Sequence, residues 1–433
     1  MSSYLDFSFT RRSLVLSVAL LCSSATFFSA QADNLSYASP ESVGMSSAAL
    51  ERIAPVMQEW VDSGELVGVV SMVARRGEIV HFEEFGAINK DTGQAMESDS
   101  LFRIYSMTKP ITTVAAMMLY EEGKFLLNDP VSKYLPEFAD LRVADEGGAL
   151  VAPARPMTIQ MLMTHSSGLT YGVFGDTLVD RQYRDAQILG NVDLAEMVTR
   201  LGEIPLQYQP GTRFHYGVST DVLGRVVEVI SGMTLKDFFE QRIFEPLEMT
   251  DTFFEVPADK KPRFGTNHTY DPRTQTLTVS DAPATSQFAN PVTFYSGGGG
   301  LVSTAEDYMR FSQMMLNGGE LNGVRILGSK TVDYMTQNHL PGIFGPNAEF
   351  SGMDLGSMAR GTGFGLGFAV VQDPAAIGTI GSEGEYYWGG AAGTMFWIDP
   401  EEELIGIAMI QHMNVQVPLR ATFKALVNGA IVD

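Results

Sequence analysis

The order of strand-like and helix-like patterns along the chain restricts its fold more than any other feature. Residues 67–74 and 78–84 form two β-rich runs separated by a short turn. Glycine-punctuated strand patterns return only after residue 360, at 364–371, 394–398 and 404–411. The middle of the chain carries helical periodicity instead. This order predicts an α/β (α+β) fold, in which an antiparallel sheet built from both chain ends is flanked by helices and a mainly helical lobe is inserted midway.

Helical spacing of apolar residues predicts where the helices lie. One covers residues 47–64, and another begins near Ser106 and ends before Gly123, because glycine favours helix ends. Others are expected at residues 158–164, 194–201, 221–230, 235–243, 308–316 and 419–427. We therefore expect one domain over residues 33–433, with an α/β lobe (33–130 and 286–433) and a helical lobe (131–285).

The first 32 residues have the features of a secretory signal peptide. Arg11 and Arg12 precede an apolar stretch over residues 14–28, and Ala-Gln-Ala at residues 30–32 forms a small-x-small cleavage site. We expect cleavage before Asp33. The alternative is an uncleaved anchor, but serines interrupt the stretch and it is short for a span of about 20 apolar residues. The sequence thus predicts an exported bacterial protein, periplasmic or secreted, with no membrane span after cleavage.

Composition excludes several function classes. The single cysteine, Cys22, lies inside the predicted leader, so the mature chain has no disulfide and no thiol nucleophile. A formal net charge of −22 repels polyanions, so no nucleic acid partner is expected. The six histidines are scattered without metal-ligand spacing, and no phosphate or dinucleotide loop occurs. We therefore expect neither a metal nor a cofactor, and no sequence feature sets an oligomeric state.

Ser106 and Lys109 form the strongest local signal for chemistry. They lie three positions apart at the start of a predicted helix, so they project from the same face. The positive potential of the helix N-terminus opposes the lysine cation and favours a serine alkoxide. A neutral lysine can then accept the serine proton, as an activated nucleophile requires. The same spacing also arises by chance in many proteins.

Two later segments add a proton carrier and an oxyanion site. Tyr216 precedes a predicted helix, where a tyrosine can carry a proton if a nearby cation stabilises its phenolate; the alternative is an ordinary half-buried aromatic residue. Trp388 is followed by two glycines, whose lack of side chains leaves the backbone open to a ligand. A backbone N–H of the following strand can then stabilise an oxyanion. A plain strand with glycines at a bend would have the same sequence.

Together these segments resemble the serine β-lactamase and penicillin-binding protein superfamily, and most closely its esterase branch, the family VIII carboxylesterases. The similarity covers nearly all of the mature chain, and the order and wide spacing of Ser106, Tyr216 and Trp388 agree with it. Supporting segments lie at residues 163–169, 220–225 and 298–304. Several agreeing segments are far less probable by chance than one.

The resemblance implies a role for each matching residue and a β-lactamase/transpeptidase-like fold. Ser106 would be the acylated nucleophile, and Lys109 its proton acceptor. Tyr216 would pass the proton to the leaving alcohol and then activate water. The backbone N–H groups of Ser106 and Ala391 would form the oxyanion hole. The residues expected to bind substrate are Trp388, Gly389, Gly390 and Tyr105, with Trp388 lining the acyl pocket.

Two departures from the family pattern indicate the substrate. β-Lactamases and transpeptidases have Tyr-x-Asn or Ser-x-Asn where this chain has Tyr216 followed by glycine and valine. They have Lys-Thr-Gly where this chain has Trp388 followed by two glycines. The amide-binding asparagine and the carboxylate-binding cation are therefore both missing. Because acyl transfer needs neither, we expect a small-molecule ester as substrate.

Two alternatives stay open. Within the same class, the chain would be a β-lactamase or a D-alanyl-D-alanine carboxypeptidase. In another class, it would be a non-catalytic relative that binds a ligand, although a binding protein has no need of Ser106, Lys109 and Tyr216 together. A Ser-His-Asp hydrolase is disfavoured because the sequence has no Gly-x-Ser-x-Gly motif.

Overall fold

The computed structural model describes Met1 and residues 35–145, 147–190, 192–344 and 361–433. The predicted leader, including Cys22, lies outside these residues apart from Met1. Leu35–Asp433 form one compact unit, and the proposed boundaries of the two lobes within it stay a prediction. Every helix in the described ranges is too short or too polar to cross a membrane.

The strands in chain order are β1 Ser36–Tyr37, β2 Gly68–Arg75, β3 Glu78–Asn89, β4 Gln94–Ala95, β5 Phe102–Arg103, β6 Val143–Ala144, β7 Leu150–Val151, β8 Asn267–Asp271, β9 Thr276–Asp281, β10 Val302–Ser303, β11 Glu320–Leu321, β12 Val324–Arg325, β13 Thr362–Phe364, β14 Ala369–Val371, β15 Tyr386–Gly389, β16 Met395–Asp399, β17 Leu404–Met409 and β18 His412–Met413. The α-helices are α1 Ser47–Leu50, α2 Ile53–Asp62, α3 Thr108–Glu121, α4 Ile159–Met163, α5 Leu178–Asp185, α6 Leu194–Gly202, α7 Ser219–Ser231, α8 Leu235–Phe239, α9 Glu245–Leu247, α10 Ala305–Leu316, α11 Ser329–Met335, α12 Pro374–Ile377 and α13 Leu419–Asn428.

The main sheet is built from both ends of the chain. Over the described residues its order is β1-β3-β2-β17-β16-β15-β14-β13, and β4 pairs with β3. The ends meet at the centre, where β2 and β17 pair antiparallel from Arg75 opposite Leu404 to Val70 opposite Met409. Only the short edge strand β1 runs parallel to its neighbour in this sheet. The predicted fold class is confirmed.

Alternation along β2 explains how the sheet is covered on both faces. Val70 and Met72 belong to one hydrophobic core, which includes buried residues of α3, α7 and α10. Val69 and Val73 belong to a second core, which includes residues of α2 and α13. Successive strand residues point to opposite faces, so a strand that is apolar at every position must be covered on both.

Two predicted elements differ from those observed. The helix expected over residues 47–64 is divided into α1 and α2. The strand expected over residues 364–371 is a hairpin of two short strands, β13 and β14, with Phe364 opposite Ala369. The reason is Gly367, whose φ of +88° reverses the chain and whose missing side chain leaves room for Thr113.

Helix α7 brings the distant parts of the site together. It packs against α3, α4, α6 and α8, so it lies at the centre of the helical part of the chain. Tyr216 precedes the first turn of α7, and Lys109 lies in the first turn of α3. Contact between these two helices is therefore the basis for an interaction between residues more than a hundred positions apart.

Candidate active site

Ser106 lies on a tight turn at the N-terminal end of α3. The 3₁₀ turn Tyr105–Met107 leads directly into the helix and leaves Ser106 partly exposed. Tyr105 has a φ of +42°, a conformation that non-glycine residues rarely adopt. It is held there because its Oη accepts a hydrogen bond from Asn267 Nδ2 at 3.3 Å and its ring meets Phe288 edge-on at 5.7 Å.

Lys109 is buried, and its ammonium group is directed at the nucleophile. The side chain is 1% exposed. Its Nζ donates to Ser106 Oγ at 3.1 Å, to Tyr171 Oη at 3.0 Å and to the Gly298 carbonyl oxygen at 2.6 Å. Three donors thus meet three acceptors, which fixes Nζ within proton-transfer distance of Ser106.

A buried carboxylate supports one of these acceptors. Asp221 accepts hydrogen bonds from Ser296 Oγ and from the Gly298 backbone N–H, the latter at 3.0 Å. Burial raises the pKa of Asp221, whereas the hydrogen bond from Ser296 and the nearby charge of Lys109 act to lower it. Asp221 therefore positions the Gly298 carbonyl that binds Lys109.

Tyr216 lies beside Lys109 in a cluster of aromatic rings. Lys109 Nζ is 4.6 Å from the centroid of the Tyr216 ring, at cation–π distance. The Tyr216 hydroxyl accepts a hydrogen bond from Trp388 Nε1 at 3.3 Å. Tyr171 also contacts the Tyr216 ring, with centroids 5.6 Å apart. The ring face, rather than the hydroxyl, meets the ammonium group in this arrangement.

Burial keeps the neighbouring ionisable groups uncharged. The pKa of His165 lies well below its ordinary value because of burial and, secondarily, the charge of Lys109. Burial likewise raises the pKa of Tyr171 well above its ordinary range, so this phenol stays protonated. The backbone of His165 also joins two loops, since its carbonyl oxygen accepts a hydrogen bond from the His215 backbone N–H at 2.7 Å.

The turn after β15 approaches the nucleophile. β15 contacts the turn that carries Ser106. A Cβ at Gly390 would lie 2.5 Å from the Ile104 carbonyl oxygen, so only glycine permits this approach. Ala391 follows on the exposed turn, and its N–H donates to no backbone acceptor among the described residues. The expected place of that N–H in an oxyanion hole stays a prediction.

The glycines after Trp388 pack closely against protein on the side where a side chain would lie, and their expected role in binding substrate stays a prediction. A Cβ at Gly389 would lie 2.6 Å from Arg420 Nη2, which itself donates to the Trp388 carbonyl oxygen at 3.0 Å. The space beside Gly390 is occupied by Ile104 and Thr394. Both glycines are therefore explained by close internal packing.

Trp388 is buried between aromatic neighbours. Its ring contacts Tyr216 at 5.5 Å and, edge-on, Phe364 at 5.3 Å. Phe364 is itself buried. Because the indole N–H pairs with the Tyr216 hydroxyl, Trp388 orients the phenol. Its expected place in an acyl pocket stays a prediction.

Comparison with known proteins agrees with this geometry. A family model described as Beta-lactamase matches residues 53–429. The chain belongs to the beta-lactamase family. Esterase EstB of Burkholderia gladioli is 32% identical over 380 residues, which cover 83% of this chain and 90% of EstB. The lovastatin esterase of Penicillium rubens is 31% identical over 394 residues, covering 85% of this chain and 95% of that enzyme.

A solved structure gives the same result for the fold. EstCE1, described as a hydrolase with promiscuous acyltransferase activity, superimposes with a TM-score of 0.73 at 26% identity, covering 89% of this chain and 99% of EstCE1. Together, the family match and these relatives show that this member of the beta-lactamase family is a carboxylesterase-like serine hydrolase.

Two groups that bind Lys109 were not identified from the sequence. Tyr171 and Gly298 both bind Lys109, yet neither was assigned a role. Gly298 stands in a segment that supported the family resemblance, so that segment offered a signal; Tyr171 stands in a loop without one. In the described ranges, no group of three or more His, Cys, Asp or Glu side chains is placed to hold a metal ion.

Proposed function

We propose that the protein hydrolyses carboxylic esters, or transfers their acyl groups, through a covalent intermediate on Ser106. The observation that carries this proposal is the 3.1 Å contact between Lys109 Nζ and Ser106 Oγ at the start of α3. Ser106 Oγ attacks the ester carbonyl while Lys109, in its neutral form, accepts the serine proton. The backbone N–H groups of Ser106 and Ala391 stabilise the oxyanion.

Collapse of the tetrahedral intermediate breaks the bond to the leaving alcohol. Tyr216 carries the proton from Lys109 to the alcohol oxygen, so one neutral alcohol leaves and the acyl group stays on Ser106. Water then enters and gives a proton to the same relay while its oxygen bonds to the acyl carbon. The bond between the acyl carbon and Ser106 Oγ breaks, the relay returns the proton to Ser106, and the acid leaves. A second alcohol in place of water yields a new ester. The contact of Lys109 Nζ with the Tyr216 ring places the phenol beside the lysine, and the relay requires the Tyr216 hydroxyl to turn towards Nζ during the reaction.

An ester suits the site better than a β-lactam or a peptide. The third position of the family's Tyr-x-Asn motif is Val218, which is fully buried and offers no side-chain amide. The position of the Lys-Thr-Gly lysine is Trp388, whose N–H already pairs with Tyr216. The polar groups that recognise an amide and a carboxylate are therefore replaced by apolar packing.

We expect the purified protein to hydrolyse short p-nitrophenyl esters and to leave a chromogenic cephalosporin unchanged. Release of nitrophenol and of the cephalosporin chromophore, followed on one preparation, measures both. Cephalosporin turnover faster than ester turnover would favour the β-lactamase alternative. Turnover of neither would favour the ligand-binding alternative.

Tyr216→Phe should lower kcat by about a hundredfold to ten-thousandfold, because it removes a positioned acid–base group. The loss should fall on kcat more than on KM, since the hydroxyl acts in the transition state. Tyr171→Phe is the matched control: it removes one of the three Lys109 acceptors and should cost less than about tenfold.

Steady-state and single-turnover kinetics, with melting temperatures, compare the two variants. A large loss with Tyr171→Phe and a small one with Tyr216→Phe would assign the relay to Tyr171 instead. A stable Tyr216→Phe protein that keeps more than about a third of wild-type turnover would remove Tyr216 from the mechanism.

The proposal includes the location of the enzyme. The leader-like residues 1–32 support export, and the absence of cysteine from the chain after them fits the periplasm or the medium. An exported hydrolase would meet small-molecule esters outside the cytoplasm.

A further inference from the structure

Three large apolar side chains are exposed a few positions after Tyr171, the residue whose hydroxyl accepts a hydrogen bond from Lys109. Val173 is 61% exposed, Phe174 51% and Leu178 52%. They lie within six consecutive positions: Val173 and Phe174 in the loop before α5, and Leu178 as the first residue of that helix. We call these three residues the apolar lip. Clustered exposure of this kind marks binding surfaces more often than scattered single residues do.

The lip is held in place by polar contacts around it. Thr177 and Asp180 form a reciprocal capping box at the start of α5. Arg184 Nη1 donates to the Gly172 carbonyl oxygen at 2.6 Å and to the Gly175 carbonyl oxygen at 3.1 Å. The exposed apolar groups therefore belong to a braced loop, which presents them to solvent as a fixed surface.

One ring separates the lip from the catalytic lysine. Phe174 meets Tyr171 edge-on, with ring centroids 5.8 Å apart. The Tyr171 hydroxyl accepts from Lys109 Nζ at 3.0 Å, and the same Nζ reaches Ser106. The lip thus adjoins the side of the nucleophile on which Lys109 and its partners lie.

That side is where the leaving alcohol has to be. The relay that removes the proton from Ser106 must deliver it to the alcohol oxygen, so this oxygen faces Lys109 and the aromatic residues around it. The carbonyl oxygen faces the N–H of Ala391 instead. A substituent on the alcohol oxygen then extends past Tyr171 towards Phe174.

We propose that the apolar lip binds the hydrophobic alcohol portion of the ester, which makes esters of extended apolar alcohols the preferred substrates. This rests on the acyl-enzyme mechanism proposed above. Arg181 and Arg184 both form ion pairs with Asp176, so these charged groups beside the lip in sequence are engaged with one another. An uncharged, apolar group therefore suits this surface.

Two ester series separate this assignment from a general hydrophobic effect. In the first, acetates of ethanol, butanol, hexanol and octanol vary the alcohol. In the second, p-nitrophenyl esters from acetyl to octanoyl vary the acyl chain over a constant leaving group. For the wild-type chain, kcat/KM should rise with the length of the alcohol.

Phe174→Ser should lower kcat/KM for octyl acetate about fivefold to fifteenfold and change ethyl acetate less than about twofold, as expected when a few methylene contacts are lost. The p-nitrophenyl series should shift in parallel, with its dependence on acyl length unchanged. Val173→Ser is a second variant with a more exposed side chain, which keeps the test valid if Phe174→Ser is unstable.

Leu126→Ser is the matched control. Leu126 is 66% exposed and lies beyond the C-terminal end of α3, whereas Ser106 lies before its N-terminus. The 14 residues of α3 separate the two ends by about 21 Å. This variant should leave both series unchanged.

The outcomes are distinct. A wild-type chain that turns over no ester overturns the proposed function and the lip with it. If both lip variants turn over esters normally and keep the wild-type dependence of kcat/KM on alcohol length, the proposed role of the lip is overturned and the proposed function is not. A changed dependence on acyl length would make it an acyl site, and a change only in oligomeric state by light scattering would make it a contact between copies of the chain; either result overturns the proposal.

Discussion

Ser106→Ala should reduce ester turnover by about ten-thousandfold or more, down to the level that binding and the oxyanion site alone provide. The physical reason is that the other hydroxyl beside Lys109 Nζ is the Tyr171 phenol, whose pKa burial raises well above its ordinary range, so it cannot replace Ser106 as the nucleophile. The loss should appear in kcat and in the disappearance of any burst of alcohol release.

The same variant should remain folded. Ser106 is partly exposed, and its removal leaves Lys109 with Tyr171 and Gly298 as acceptors. The expected change in the free energy of unfolding is therefore about 1 kcal/mol or less. Circular dichroism and a melting curve on the kinetic samples provide the check. If the variant is inactive because it has unfolded, the loss of turnover says nothing about the nucleophile. A variant that is folded and active contradicts the assignment of Ser106 as the nucleophile.

Lys109→Met should lose nearly as much activity as Ser106→Ala, on the order of a thousandfold or more, because methionine fills a similar volume but accepts no proton. Some stability should also be lost, about 1–3 kcal/mol, since the buried acceptors at Tyr171 and Gly298 lose their donor. Turnover per folded molecule, over a range of pH, is the quantity to measure.

The double variant tests whether the two residues act as a unit. Ser106→Ala combined with Lys109→Met should be no slower than Ser106→Ala alone, because a serine without its base and a base without its serine fail at the same step. If the activity losses of the two single variants add in full in the double variant, Lys109 does not act as the proton acceptor of Ser106.

Local patterns predict much of this molecule. The pairing of Ser106 with Lys109 follows from a three-residue spacing on one helix, and such neighbours meet whatever the rest of the chain does. The two-sided cover of β2 follows from its continuous apolar run. The hairpin within residues 364–371 is harder to predict from the sequence. It depends on the positive φ of one glycine, and a glycine inside a strand pattern has several explanations.

Contacts between distant segments set the rest of the site. Tyr171 lies 62 positions from Lys109 and Gly298 lies 189 positions from it, so neither contact leaves a spacing in the sequence. The glycines after Trp388 show the opposite case. Their sequence signal is clear, but it fits both ligand approach and internal packing; the positions of Arg420 and Ile104 show the packing, and ligand approach stays a prediction.

Identification of the acylated residue tests the central claim most directly. The protein is treated with a phosphonate ester, digested, and the modified peptide is sequenced by mass spectrometry. Other serines near the site are buried and hydrogen-bonded, since Ser167 pairs with Ser219 at 2.8 Å and Ser166 with Thr164 at 2.9 Å. We expect one adduct in the wild-type protein, on Ser106, and none in Ser106→Ala. An adduct on Ser166, Ser167 or Ser219, or full ester turnover by a protein that carries the adduct on Ser106, would contradict it.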